Sequence, residues 1–268
     1  SGLLKAGHYS SPYKRATEWM DPFRDTLADA QAVLGNVDGT VLFSEWYSNV
    51  LAWQSPEYRR WQIDADYVVN QGSDQLPQTT QTAKRSALSI DIHGHNDYMK
   101  GGIALERRNA VSNTGGAGTE DIQAIKLYVA SWIPRDKRRT LVTGVFERAD
   151  GVDVSGTGTA GRSALYFSAT YHWRTLAFKA ALGWLSSLNN VNQSGAVWYA
   201  LGATHYISPR IEHYVVVPLM SNDANATYGL GQFQGTGLRG NGNVPGLPDK
   251  SVLAVSLGLR VMLGTAPP

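Results

Sequence analysis

Cysteine is missing from all 268 residues. Its absence removes disulfides, thiolate metal sites and cysteine nucleophiles together and leans towards an extracytoplasmic setting. Long apolar runs are missing too. None approaches the roughly 18 residues of a membrane helix, and YVVVPLM at 214–220 is among the longest. A helical membrane protein is therefore excluded. A membrane β-barrel is not, because its alternating strands average to a polar composition. No block of one charge stands out and the net charge is +2, so nothing calls for nucleic acid. No signal peptide is visible and the chain starts at Ser1 without Met, as expected of mature or trimmed residues. Length alone admits one large domain or two small ones.

Glycine (28), tyrosine (13) and tryptophan (8) are plentiful, and the dominant pattern has period two. In WQIDADYVV, Trp61, Ile63, Ala65, Tyr67 and Val69 share one face, leaving Gln62, Asp64 and Asp66 on the other. ALSIDIH opposes Leu88, Ile90 and Ile92 to Ser89, Asp91 and His93, and the runs 164–173 and 175–184 alternate likewise. Further strands are expected at 2–9, 46–55, 98–108, 121–133, 138–148, 195–207, 211–220 and 251–263, about twelve in all. Short turns at 55–59, 95–97, 134–137, 173–175 and 208–210 alternate with long polar connections near 70–86, 109–120, 149–162, 185–194 and 221–250. Turns at one end and long loops at the other describe an all-β, antiparallel up-and-down transmembrane barrel. Trp53, Trp61, Trp132, Trp173 and Trp184 near strand ends fit interfacial girdles. The alternative is a secreted soluble β-sandwich binding carbohydrate through exposed Trp and Tyr.

SIDIHGHND (89–97) raises a different chemistry, because His93-x-His95 at a strand end is how some metal-dependent hydrolases hold a cation. Such a site would need a following helix and further ligands at later strand ends. Instead Gly94-His95-Asn96-Asp97 contains turn formers, and YMKGGIALERR follows as a partner strand. The turn reading is preferred, with no metal or cofactor expected. No Gly-x-Ser-x-Gly elbow is present, and GTGTAG (156–161) precedes no helix, so no catalytic motif competes.

Several stretches resemble the general diffusion porins of Gram-negative bacteria, particularly the trimeric, sixteen-stranded beta-proteobacterial type. LLKAGHYSSPY resembles the strand leading into that family's constriction loop, DPFRDTLADAQAVLG (21–35) the inward-folding loop, and SNVLAWQSPEY the strand after it. YALGATHYISPRIEHY (199–214) resembles a periplasmic turn, and VPGLPDKSVLAVSLGLRVML the last loop and closing strand. Pro209 departs from the usual Lys, and Leu263 followed by GTAPP departs from the usual terminal Phe. The correspondence implies that the chain holds the last twelve strands, with the first four and the signal peptide missing.

The resemblance implies one barrel domain over 1–268, with an inward loop at about 10–45. It implies a water-filled outer-membrane channel for passive diffusion of small hydrophilic solutes and ions, a homotrimer in outer-membrane lipid and lipopolysaccharide, and no enzyme activity. Acids on the loop would face bases on the wall. The loop candidates are Glu18, Asp21, Asp25 and Asp29. From strand parity and the resemblance together, the wall candidates are His8, Asp64, Asp66, Asp91, Lys100, Glu106, Arg108, Lys126 and Lys179, with His93 on the same face. Asp21 and Asp25 also suit the start of a short helix around 22–34. The Glu-Arg pairs in ERRNA (106–110) and ERADG (147–151) read as rim salt bridges. Charge selectivity stays open, since these candidates nearly cancel.

Overall fold

A computed structural model describes residues 2–37, 40–41, 43, 46–69, 86–111, 119–135, 138–153, 159–231 and 244–261. Each period-two segment becomes a strand because alternation lets one face meet an apolar phase and the other a polar interior. The principal strands are β1 (Leu3–Ser10), β4 (Trp46–Gln54), β5 (Trp61–Val68), β6 (Ala87–His95), β7 (Met99–Val111), β8 (Thr119–Arg135) and β9 (Arg138–Asp153). They continue as β10 (Thr159–Trp173), β11 (Leu176–Leu185), β12 (Ala196–Ser208) and β13 (Ile211–Asn222). The last position is shared by β14 (Ser251–Leu253) and β15 (Ser256–Val261), both paired with β13.

All neighbours are antiparallel, in the order β1-β4-β5 and so on to β14. This single meander has the about twelve strand positions expected, and the expected 251–263 strand is interrupted after Leu253. Among the described residues the only other sheet is the two-stranded β2 (Asn36–Val37) with β3 (Thr40–Val41). A sandwich of two packed sheets is therefore overturned. No helix among the described residues is long and apolar enough to cross a membrane; strands do the crossing. Two connections are shorter than expected. β7 runs on to Val111 before β8 begins at Thr119, and β9 to Asp153 before β10 begins at Thr159. Residues 262–268, with Leu263 and the GTAPP tail, lie outside the described residues.

The outer face exposes Leu88, Ile92, Ile103, Leu105, Leu127, Val129, Phe146, Phe167, Phe178 and Leu182, with Trp53, Trp61, Trp173 and Trp184. Such a continuous apolar surface is unfavourable in water and suits lipid. Trp132 departs from the expected girdle: it turns inward and stacks on Trp19, with ring centroids 5.7 Å apart. Opposite the apolar face lie Asp64, Asp66, Asp91, His93, Glu106, Lys126, Glu147 and Arg162, all buried. Their cover is the segment between β1 and β4.

Candidate functional site

Ser11 caps α1 (Pro12–Glu18), its hydroxyl accepting from Lys14 N at 3.1 Å, while Pro12 suits the first turn, where an N–H would go unused. This helix lies upstream of the one expected around 22–34. Residues 21–29 instead form turns, and a 3-10 turn (Ala30–Ala32) follows, capped by Asp29. Two carboxylates shape the turns. Asp21 accepts from Phe23 N and Ala30 N, both at 2.9 Å, and Asp29 accepts from Gln31 N and Asp25 N, also at 2.9 Å. Asp25 holds a left-handed φ of 59°, so its bonded N–H helps offset that conformation.

The segment is fastened to the wall strand by strand. Tyr13 N donates to Ser89 Oγ of β6 at 3.0 Å, Tyr166 of β10 donates to Asp21 at 3.2 Å, and Arg260 of β15 donates to Arg24 O at 2.7 Å. Phe23 lies over Gly202 and Val33 over Gly183, where an added Cβ would approach these side chains to 2.8 and 2.5 Å. Glycine at these two wall positions makes room for the loop.

Glu147 sits at the centre. Its carboxylate accepts from Tyr13 OH at 2.7 Å, from Gly35 N at 2.8 Å and from Arg162 at 2.8 Å, with Lys126 Nζ at 3.6 Å. Arg162 also donates to the carbonyls of Val33 and Asn36, and Lys126 to Tyr13 O at 3.3 Å while lying 3.9 Å from the Tyr13 ring centroid. Two cations, one anion and the loop backbone thus share one buried network. Charges taken from water to this degree persist only when paired.

The expected site residues divide by environment. On the loop, Glu18 and Asp25 pair with Arg24 at 3.0 and 3.6 Å, whereas Asp21 and Asp29 hold loop backbone. Burial, with repulsion between the two carboxyls, pushes Asp21 up to about 8, and burial pushes Asp29 up to about 6. On the wall, Glu106 accepts from Tyr47 OH at 2.6 Å, and Arg108 reaches the same hydroxyl at 3.3 Å. Lys100 stands over Trp19 at 5.1 Å, and Lys179 is half-buried. Asp64 and Asp66 meet a loop cation, Arg15, at 3.9 and 3.4 Å. His8, on edge strand β1, is exposed, hydrogen-bonds Ser48 at 3.0 Å and stacks on Trp46.

Asp91 lies directly across from Asp64, and its carboxylate joins His93 Nδ1 at 2.8 Å and Tyr128 OH at 2.8 Å. His95 is not part of this group; its ring faces Glu57 at 3.4 Å. The His-x-His spacing therefore does not gather both imidazoles at one centre.

Neither Glu147 nor Arg162 was among the expected wall residues; Glu147 was read only as half of a rim salt bridge. Glu147 shares the inward parity of Thr143, Val145 and Ala149, which is the signal that could have found it. Arg148 takes the other parity and pairs with Asp150, so the expected Glu147–Arg148 rim bridge is replaced by two separate partnerships. Arg162 fell in a stretch read as connection.

A family model described as Gram-negative porin matches residues 1–242. Among curated proteins nothing matches. Among solved structures, an anion-selective porin from Comamonas acidovorans is similar with a TM-score of 0.73 at 15% identity, over 97% of this chain and 74% of that one. OmpT of Vibrio cholerae, folded in vitro, gives 0.65 at 12% identity over 97% and 76%. Its trimer form gives 0.64 at 13% identity over the same shares, 97% and 76%. At these identities the likeness concerns the fold, an antiparallel up-and-down barrel.

Proposed function

The chain belongs to the Gram-negative porin family, whose members are outer-membrane channels for passive diffusion, and from that premise we propose that residues 10–45 narrow the pore and that it prefers anions. The supporting observation is how burial sorts the inward charges. Lys14, Arg15, Arg24, Lys100, Arg108, Lys179 and Arg260 keep at least partial exposure, as do the acids Glu18 and Asp25. Asp64, Asp66, Asp91, Glu106, Glu147 and Glu212 are buried. With Asp21 largely protonated near neutrality, bases predominate among the inward charges that water reaches. A permeating anion meets a favourable potential along such a path.

The assembly reading is a homotrimer in outer-membrane lipid and lipopolysaccharide, supported by the apolar outer face and by the trimer form of the similar OmpT. No catalytic role is proposed; the family is one of channels.

Single-channel recording of refolded protein under a potassium chloride gradient tests the pore and its preference together. The expected result is stepwise openings with a reversal potential on the chloride side, moving further that way as pH falls from 8 to 5 and Asp21 and Asp29 take up protons. A potassium-side reversal potential would remove the anion preference while leaving the channel intact.

A further inference from the structure

The paired middle stretches of β5 and β6 bring three metal-ligating side chains together on the inner face. Asp64, Asp91 and His93 each offer one ligand atom, and these atoms lie within 4.8 Å of one another. All three residues are buried, at 8%, 3% and 7% exposure. We propose that Asp64, Asp91 and His93 form a binding site for a divalent cation of the zinc type on the inner wall of the barrel.

One acceptor of the group is unpaired. Asp64 Oδ1 is buried and has no hydrogen-bond partner, although a buried carboxylate oxygen ordinarily finds a donor. Arg15 approaches Asp64 through the other oxygen, and only to 3.9 Å; its nearer partner is Asp66 at 3.4 Å. Asp64 is therefore a poorly compensated acceptor inside the wall, in a group that already has the donor set of a metal.

His93 Nδ1 and Asp91 Oδ2 stand 2.8 Å apart, close to the spacing of two ligands on one small cation, so a metal takes the place of the proton they share. A tetrahedral shell with bonds of about 2.0–2.2 Å sets ligand atoms roughly 3.3 Å apart. To reach that spacing the His93–Asp91 pair opens slightly from 2.8 Å while Asp64 draws in from within 4.8 Å. Tyr128 OH donates to the other oxygen of Asp91 at 2.8 Å, and an outer partner of this kind fixes a ligating carboxylate in place.

The ligand set selects among cations. Imidazole nitrogen favours zinc, copper and nickel over magnesium and calcium, and two carboxylates neutralise a dication. With three protein ligands, a fourth position is left for water or a small anion from the lumen.

The test is isothermal titration of the refolded full chain with zinc chloride at pH 7.5. The expected result is one saturable site per chain, weakened at least tenfold in both Asp64→Asn and His93→Gln. Variants are compared only where the far-ultraviolet β spectrum is retained. No saturable binding by the unaltered chain overturns the proposal, as does a site that survives either substitution in a folded variant. X-ray absorption of the zinc-loaded unaltered chain answers without any variant. One imidazole with oxygen ligands is expected. Two imidazoles, as the cross-strand pair His205 and His213 at 4.9 Å between ring centroids would supply, overturns the assignment.

Discussion

Asp21 and Asp29 hold the loop by accepting backbone N–H groups, yet both carboxyls are pushed upward, to about 8 and about 6. An unfolded aspartate titrates near ~3.9. Between that value and about 8 the docked loop therefore binds more protons than the undocked chain, and its stability falls as pH rises. The stabilisation is complete below the unfolded value and is lost through about 6 at Asp29 and about 8 at Asp21. Chymotryptic cleavage at buried Phe23, normalised to a peptide control at each pH, should increase several-fold from pH 5.5 to 9. Asp21→Asn, a neutral isostere, should leave only the smaller step near pH 6. Glu147 has the opposite character, since it must stay charged to compensate Lys126 and Arg162. Glu147→Gln keeps the shape but leaves two buried cations without their anion, a loss of about 3–5 kcal/mol when one partner of a buried pair is removed. Urea unfolding in detergent should register a loss of that order, and the single-channel current should become noisier as the loop loosens.

Between residues and barrel, the loop and the strands it crosses act as one element. Gly202 faces Phe23 and Gly183 faces Val33 with no room for a side chain. Gly202→Val should therefore lift residues 21–26 from the wall, raise protease cleavage there and change conductance, while Gly144→Ala, whose Cβ meets only ordinary contacts on the outer face, should not. These close approaches mark the limit of what the sequence discloses. The strands were legible because each must satisfy two different phases, so period two is written into every one, as in β5 and β6. Asp64, Asp66, Asp91, Glu106 and Lys126 could be placed on the inner face for the same reason. The loop's own conformation was not legible. Its helix begins at Pro12 rather than near residue 22 because the cap and proline at 11–12 act locally, whereas residues 21–35 are shaped by Tyr166, Arg162 and Glu147, partners more than a hundred residues away. No local pattern records such contacts, and the inward turn of Trp132 onto Trp19 escaped for the same reason.

At the scale of the whole molecule, the two faces of one sheet answer to different solvents, and the sign of a substitution follows from parity alone. Leu127 is exposed on the outer face while its chain neighbour Lys126 is fully buried inside, so one step along β8 crosses from lipid to the ion network. β8 and β9 pair continuously from Gln123–Asp150 to Arg135–Arg138, which sets Leu127, opposite Phe146, well inside the strand. A charge introduced there has neither water nor a partner within reach and should cost about 2–4 kcal/mol at the bilayer midplane. Leu127→Arg should therefore lower the unfolding free energy of vesicle-inserted protein by that amount. Trp61→Arg, close to the short-turn end of β5, should cost about 0–1 kcal/mol because the interface supplies water and headgroups. Urea titrations of the two variants in the same vesicles separate the readings. A large difference between them places the apolar face in lipid at the depth the strands imply, while equal costs would mean that the face is covered by something other than a bilayer.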